Sequence, residues 1–289
     1  MDIGIGLPAT IPGTSGSLVL DWARRADSGP FSSLGILDRL VYPNYEPLIT
    51  LAAAAAVTDR VRLMSTVLLS PLRRAGVLAK QAATLDALSG GRLTLGLGVG
   101  SREDDFKFAP ASFHERARSF EEQLELMKRV WSGQPVSEEV GPVGPPPARA
   151  GGPELLIGAY SPPAIQRVGR WADGFISGGI PDPEQVRQMF DLVEEAWRAE
   201  GRQAAVSLVL LLRPRSERGT GRRLHTRLLQ LLRTRSRRHG EIHPLVSGGY
   251  PESHPGPGRR RRGRGDLLAH GRGAGPGGSS RRGSRLTYP

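Results

Sequence analysis

Seven short apolar runs, at residues 3–7, 34–37, 61–69, 93–99, 155–157, 174–177 and 206–212, are separated by longer stretches of helical period. A chain that alternates in this way builds βα units around a parallel sheet, and few other architectures accommodate it. The run at 61–69 shows little polar alternation, as expected of a strand covered on both faces. Residues 17–26 place Leu18, Trp22 and Ala26 on one helical face, and residues 116–131 do the same with Phe120, Leu124, Met127 and Trp131. Pro47 opens a helix over 47–57, and Ser89-Gly90-Gly91 closes one over 77–88 with a left-handed cap. Further helices start at Ser161 and span 183–200, with a Pro/Gly-rich loop at 134–153. Seven such units predict an α/β fold of the TIM (β/α)8-barrel type, incomplete at strand 8.

The pattern stops at a seam near Leu212. Residues 1–210 carry 21 Lys+Arg against 24 Asp+Glu, whereas residues 211–289 carry 19 against 4, so the net charge of +12 belongs to the second part. Two regions are expected: a barrel domain over 1–212 and a largely disordered Arg/Gly/Pro-rich tail over 213–289. A basic arm of this kind is one reading of another class, a nucleic-acid-binding protein on a barrel scaffold. Tyr250 and Tyr288 are the tail's sole aromatics, too few to interleave with bases, so no specific nucleic-acid partner is expected. Arg, Gly, Pro, Ser and His without Lys are what out-of-frame reading of GC-rich DNA yields, which points to a frameshift near codon 211. Translating the coding DNA in its other two frames checks this: if neither restores a helix-rich segment and an apolar strand, the frameshift is refuted.

Cysteine is absent, which excludes disulfides, thiolate metal sites and cysteine nucleophiles. The N-terminus lacks the basic-then-apolar order of a secretion signal, and the apolar stretch at 48–57 falls short of the roughly 20 residues that a membrane-spanning helix needs. A cytoplasmic protein that does not enter a membrane is the expectation.

In a parallel barrel the chemistry sits at the carboxyl ends of the strands. The residues there are Asp38 and Arg39, then Ser65 and Thr66, then Gly98, Gly100, Arg102, Glu103 and Asp104. They contain no metal triad, and with His114 the one histidine before the seam there is no Ser-His-Asp grouping, so no metal is expected. Asp38 is the candidate catalytic residue, able to anchor a substrate or accept a proton; pairing with Arg39 or another barrel-end arginine is the alternative. Gly158-Ala159-Tyr160-Ser161-Pro162-Pro163 reads as a strand end, a small turn and a helix start, where a positive helix end favours phosphate. Gly178-Gly179 would form the second half of that cradle. Gly96-x-Gly98-x-Gly100 departs from dinucleotide spacing and reads instead as glycines admitting a bulky neighbour, which could be a flat ring.

Taken together, several stretches resemble the luciferase-like flavin-dependent oxidoreductases, a group that includes bacterial luciferases and coenzyme F420-dependent reductases. They are Asn44-Tyr45-Glu46-Pro47-Leu48, Thr58-Asp59-Arg60-Val61-Arg62-Leu63, Leu78-Ala79-Lys80-Gln81-Ala82-Ala83-Thr84-Leu85-Asp86, Leu88 through Gly100 with Arg102-Glu103-Asp104, and Arg170-Trp171-Ala172-Asp173-Gly174. The resemblance covers roughly residues 1–210 and implies reduced FMN or coenzyme F420 at the strand ends. It implies that Ser65, Thr66 and Gly98 lie along the ring, and that Gly158, Ser161, Gly178 and Gly179 hold the phosphate. It further implies a small organic substrate, a homodimer in intact members, and either of two chemistries. One is a monooxygenase using O2 and reduced FMN from a separate reductase; the other is direct hydride transfer with F420. In both the cofactor does the redox work, which accounts for the missing triad.

Overall fold

The computed structural model describes residues 2–178, 183–202, 207–212 and 242–246. Strands β1 (Gly4–Gly6), β2 (Ser33–Ile36), β3 (Arg62–Ser65), β4 (Leu68–Leu69), β5 (Leu93–Gly98), β6 (Glu154–Gly158), β7 (Gly174–Ser177), β8 (Ser207–Leu212) and β9 (Ile242–Val246) form one sheet in which every pairing is parallel. Helices α1 (Gly16–Ser28), α2 (Pro47–Ala55), α3 (Ala75–Leu88), α4 (Glu103–Phe108), α5 (Arg116–Trp131), α6 (Pro162–Trp171) and α7 (Pro183–Ala199) lie between them. Around the sheet the order runs β3-β2-β1-β9-β8-β7-β6-β5, and β5 returns to β3. The expected α/β barrel is therefore the fold.

Its eighth unit has a strand that no apolar run announced. Ile242–Val246 takes the eighth position, pairing five residues with β8 but only Gly4↔Leu245 and Ile5↔Val246 with β1. Pro244 contributes no N–H to its ladder, which is why the segment does not read as an interior strand. Met1–Tyr250 forms one compact unit. Residues 213–241 and 247–289, including the leucine-bearing stretch at 224–232, lie outside the described residues.

Strand alternation sorts side chains to two sides. Leu34, Leu63, Leu93, Leu95, Leu97, Leu155, Ile157 and Phe175 point outward into the main core, where they meet the helices. There α3 and α5 pack through Leu78, Ala82, Phe120, Leu124 and Met127, with Trp131 Nε1 donating to the Ala79 carbonyl at 2.9 Å. Alternate positions face the barrel interior and change in character along the axis. Near the amino ends Arg62, Thr94 and Glu154 form a hydrogen-bonded polar floor, with Thr94 Oγ1 2.7 Å from Glu154 Oε2. Met64, Leu156 and Ile176 form a small apolar layer above it.

Local signals mark the helix ends. Ser15 caps α1 by accepting from Leu18 N at 3.2 Å, Glu46 caps α2 by accepting from Ile49 N at 2.8 Å, and Gly90 and Gly91 take φ of +67° and +81° after α3. Before β3, burial pushes the Asp27 carboxyl upward, but backbone N–H donors of Val61, Asp59 and Arg60 and the Arg60 charge together hold it below the ordinary carboxylate range. Among the described residues no helix is long and apolar enough to cross a membrane.

Candidate functional site

The apolar run at 61–69 is two strands, because the chain bends at Thr66–Val67 between β3 and β4. Both residues before the bend are tied to neighbouring strands. Ser65 Oγ donates to the Gly96 carbonyl at 2.8 Å, and Thr66 Oγ1 donates to the Ile36 carbonyl at 3.1 Å while Thr66 N reaches the same oxygen at 2.8 Å. Both hydroxyls are buried and spent on strand carbonyls. The residue that the bend turns inward is Val67, which packs with Met64, Leu156 and Ile176.

Val67 has room because the facing strands end in glycine. A Cβ on Gly98 would lie 2.7 Å from Val67 Cγ2, and one on Gly158 would lie 3.3 Å from Val67 Cγ1. Gly98 and Gly158, read from sequence as ring and phosphate contacts, thus share one apolar neighbour. Gly96, one layer deeper, has its missing Cβ replaced by the Ser65 carbonyl and Ile176. On β1 and β2 the interior-facing positions are Gly6 and Gly35, since Ile5, Leu34 and Ile36 belong to the outer core. Four strands therefore bring no side-chain bulk to the barrel mouth, and Val67 supplies an aliphatic platform beside them.

Asp38 does not stand open to a substrate. Its side chain is wholly buried; Oδ2 accepts from Leu69 N at 2.8 Å and Arg73 Nη1 at 2.6 Å, and Oδ1 accepts from Arg73 Nη2 at 3.2 Å. Such a bidentate pair, with a backbone donor beside it, compensates the buried negative charge. Arg73 also reaches Glu46 Oε1 at 3.2 Å and the Leu69 carbonyl at 3.2 Å, while Gln123 on α5 donates to the Arg73 carbonyl at 2.8 Å. One guanidinium thereby joins the ends of β2 and β4 to the start of α2. The alternative that Asp38 pairs with a barrel-end arginine is what the geometry displays, and the partner is Arg73. Arg39 instead meets Asp105 at 2.7 Å and Asp104 at 3.1 Å, and buried Asp105 accepts from Leu40 N and Val41 N as well.

Across the mouth, Ser161 occupies the N-cap of α6 with extended backbone, yet its side chain makes no capping bond. Pro162 and Pro163 carry no N–H, so Ala164 provides the first amide donor of this helix. Gly178 follows β7, and a Cβ there would overlap the Tyr160 hydroxyl. Gly179 lies outside the described residues. Sequence reasoning missed Val67, Arg73 and Tyr160 as site residues. The one signal for Val67 is the run at 61–69 itself, too long for a single strand between short neighbours; nothing local marks Arg73.

A family model for the luciferase-like monooxygenases matches residues 1–273. A protein of Mycobacterium tuberculosis described as uncharacterised is 31% identical over 173 residues, covering 57% of this chain and 61% of its own length. The phthiodiolone/phenolphthiodiolone dimycocerosates ketoreductase of Mycobacterium bovis is 33% identical over 170 residues, or 55% of this chain and 44% of that protein. The chain thus spans less than two thirds of these curated relatives' length. Among solved structures, monooxygenase RslO1 from Streptomyces bottropensis is similar with a TM-score of 0.69 and 23% identity, over 87% of this chain and 94% of that one. The FMN complex of the oxygenating constituent of 3,6-diketocamphane monooxygenase from Pseudomonas putida gives 0.59 and 21%, over 72% and 66%. The F420-dependent tetrahydromethanopterin reductase of Methanopyrus kandleri gives 0.59 and 22%, over 73% and 65%. With the family match spanning most of the chain on a parallel βα barrel, the protein belongs to the luciferase-like monooxygenase family.

Proposed function

We propose that this chain is a flavin-dependent oxidoreductase that binds reduced FMN at the barrel mouth and acts as a monooxygenase on a small organic substrate. The observation that carries the reading is the glycine rim: Gly6 and Gly35 on the neighbouring strands β1 and β2, and Gly98 and Gly158 on the neighbouring strands β5 and β6, remove side-chain volume on either side of β3, and Val67 offers a flat ring an aliphatic surface. A planar tricyclic group suits such a mouth better than a branched one. When bound, reduced FMN supplies the electrons for O2 activation, and a separate reductase would deliver it. The residues of this chain hold and shield it: Val67 packs on one face, the Asp38–Arg73–Glu46 network keeps the β4 end in place, and Ser161 and Gly178 flank the phosphate.

Coenzyme F420 is the second reading, and it uses the same rim and the same phosphate flank. It draws support from F420-dependent structural neighbours, including a secondary alcohol dehydrogenase in complex with an F420-acetone adduct at TM-score 0.65 and 14% identity. Titrating the full chain into FMN and into F420 while following cofactor fluorescence distinguishes the two, with saturable one-to-one quenching expected for one of them. Failure of both to bind by about 1 mM, where binding is worth only about 4 kcal/mol, refutes the proposal.

A further inference from the structure

Four charged side chains converge on the amino-end face of the barrel, opposite the mouth. Arg149 precedes β6, Asp173 precedes β7, Arg202 precedes β8, and Lys128 lies in the last turn of α5. Asp173 is shared between two guanidinium groups, with Oδ2 3.5 Å from Arg149 Nη1 and Oδ1 3.6 Å from Arg202 Nη2. Those separations are long for charge-assisted pairs, whereas Arg73 with Asp38 and Arg39 with Asp105 close to 2.6 and 2.7 Å. Lys128 is half-buried in the field of all three and makes no hydrogen bond or ion pair among the described residues. Burial pushes its ammonium below the ordinary lysine range, Asp173 opposes this, and Arg202 and Arg149 push it lower still. Three positive charges against one carboxylate leave an excess of +2.

The excess is held in place. Leu155 N donates to Asp173 Oδ2 at 3.0 Å, Arg202 Nη1 donates to the Gly169 carbonyl at 2.9 Å, and buried Asp86 accepts from Ala148 N at 2.8 Å and Arg149 N at 3.4 Å. The turn after Arg149 is seated on the end of α5, where a Cβ on Gly152 would lie 2.8 Å from Trp131 Cδ2. The carboxyl ends of α5 and α7 favour cations nearby, but solvated side chains answer that need without desolvation. A half-buried ammonium beside two guanidinium groups does not. We propose that Lys128, Arg149 and Arg202 form an anion site for a phosphate group, as the inorganic ion or as a monoester, separate from the cofactor mouth. A phosphate monoester carries a charge of about −1.5 to −2 near pH 7, which matches the excess. Its oxygens accept from forked guanidinium donors and from an ammonium acting as a point charge, while Asp173 keeps one guanidinium on each of its own oxygens.

Thermal melts of the full chain in inorganic phosphate, in glycerol 3-phosphate and in sodium chloride at matched ionic strength test the site. At about 10 mM ligand and a dissociation constant of about 1 mM, the melting temperature should rise by about 3 °C over the chloride control. A larger rise with the ester assigns the site to phosphate esters, and equal rises assign it to the free ion. Lys128→Gln should weaken phosphate affinity about tenfold, and in chloride it should melt no lower than the parent because it removes an uncompensated charge. Arg149→Gln alters a side chain that is 54% exposed, so it keeps the fold and should weaken phosphate affinity about fivefold. Both variants should titrate with FMN and F420 as the parent does, which separates this site from the mouth. A rise in the parent no larger than that in chloride overturns the proposal. So does a rise that both variants retain in full, since the phosphate is then bound elsewhere. Neither outcome bears on the flavin reading, and failure of the parent to bind FMN and F420 leaves the anion site standing.

Discussion

Replacing Arg73 by alanine is expected to destabilise the protein by about 3 kcal/mol, at the lower end of the range for breaking a buried ion pair. The Asp38 side chain is fully buried and Arg73 is 14% exposed, so the stranded carboxylate would keep Leu69 N as a donor but lose its compensating charge. The Leu69–Arg73 turn, which Arg73 and Gln123 hold against α5, would loosen with it. Chemical denaturation reads the loss as a lower midpoint at constant slope. Adding Asp38→Asn to that variant should recover part of the stability, because a neutral amide replaces an unpaired buried charge. A midpoint for Arg73→Ala within about 0.5 kcal/mol of the parent would mean that the guanidinium does not hold a dehydrated carboxylate. If Asp38 were the general base of a reaction, Asp38→Asn would abolish turnover; as a member of a structural pair it should lower stability first.

Gly96→Ala should be comparably costly, about 2–3 kcal/mol, for a different reason. The added methyl would overlap the Ser65 carbonyl and stand 2.6 Å from Ile176 Cδ1. A flexible side chain can yield, but a strand carbonyl cannot without parting β3 from β5, the joint that closes the ring. The Ser65 Oγ bond to the Gly96 carbonyl would be lost in the same movement. Gly76→Ala on α3 is the matching control: nothing lies within 4 Å of its missing Cβ, and alanine there should be neutral or stabilising by about 0.5–1 kcal/mol. Thermal melts of the two variants side by side separate close packing from generic glycine effects. Equal melting temperatures would show that the β3–β5 joint tolerates an extra atom.

The βα order, the helix ends and the outward core are legible in the chain because they depend on neighbours two to four residues away. Leu93, Leu95 and Leu97 point outward by the two-residue period of a strand, and Pro47 and Gly90 mark helix ends through their own backbone restrictions. The family motifs are equally local. The site is legible in part: Gly98 and Gly178 read in the sequence as places of close approach and Gly158 as a strand end, but what approaches them is not legible. Val67 fills the space at Gly98 and Gly158 and Tyr160 that at Gly178, and both arrive from other loops.

What the sequence by itself determined is therefore a repeated strand–helix unit with glycine at its strand ends, since each of those features is decided by short-range geometry. Only the tertiary structure decided that Asp38 meets Arg73 while Arg39 turns to Asp104 and Asp105, charges separated by 35 and by 65 or 66 residues along the chain. It also decided that Ile242–Val246 takes the eighth place in the sheet. The physical reason is ring closure: which strand ends become neighbours depends on the stagger of the whole barrel, and no local window contains that quantity.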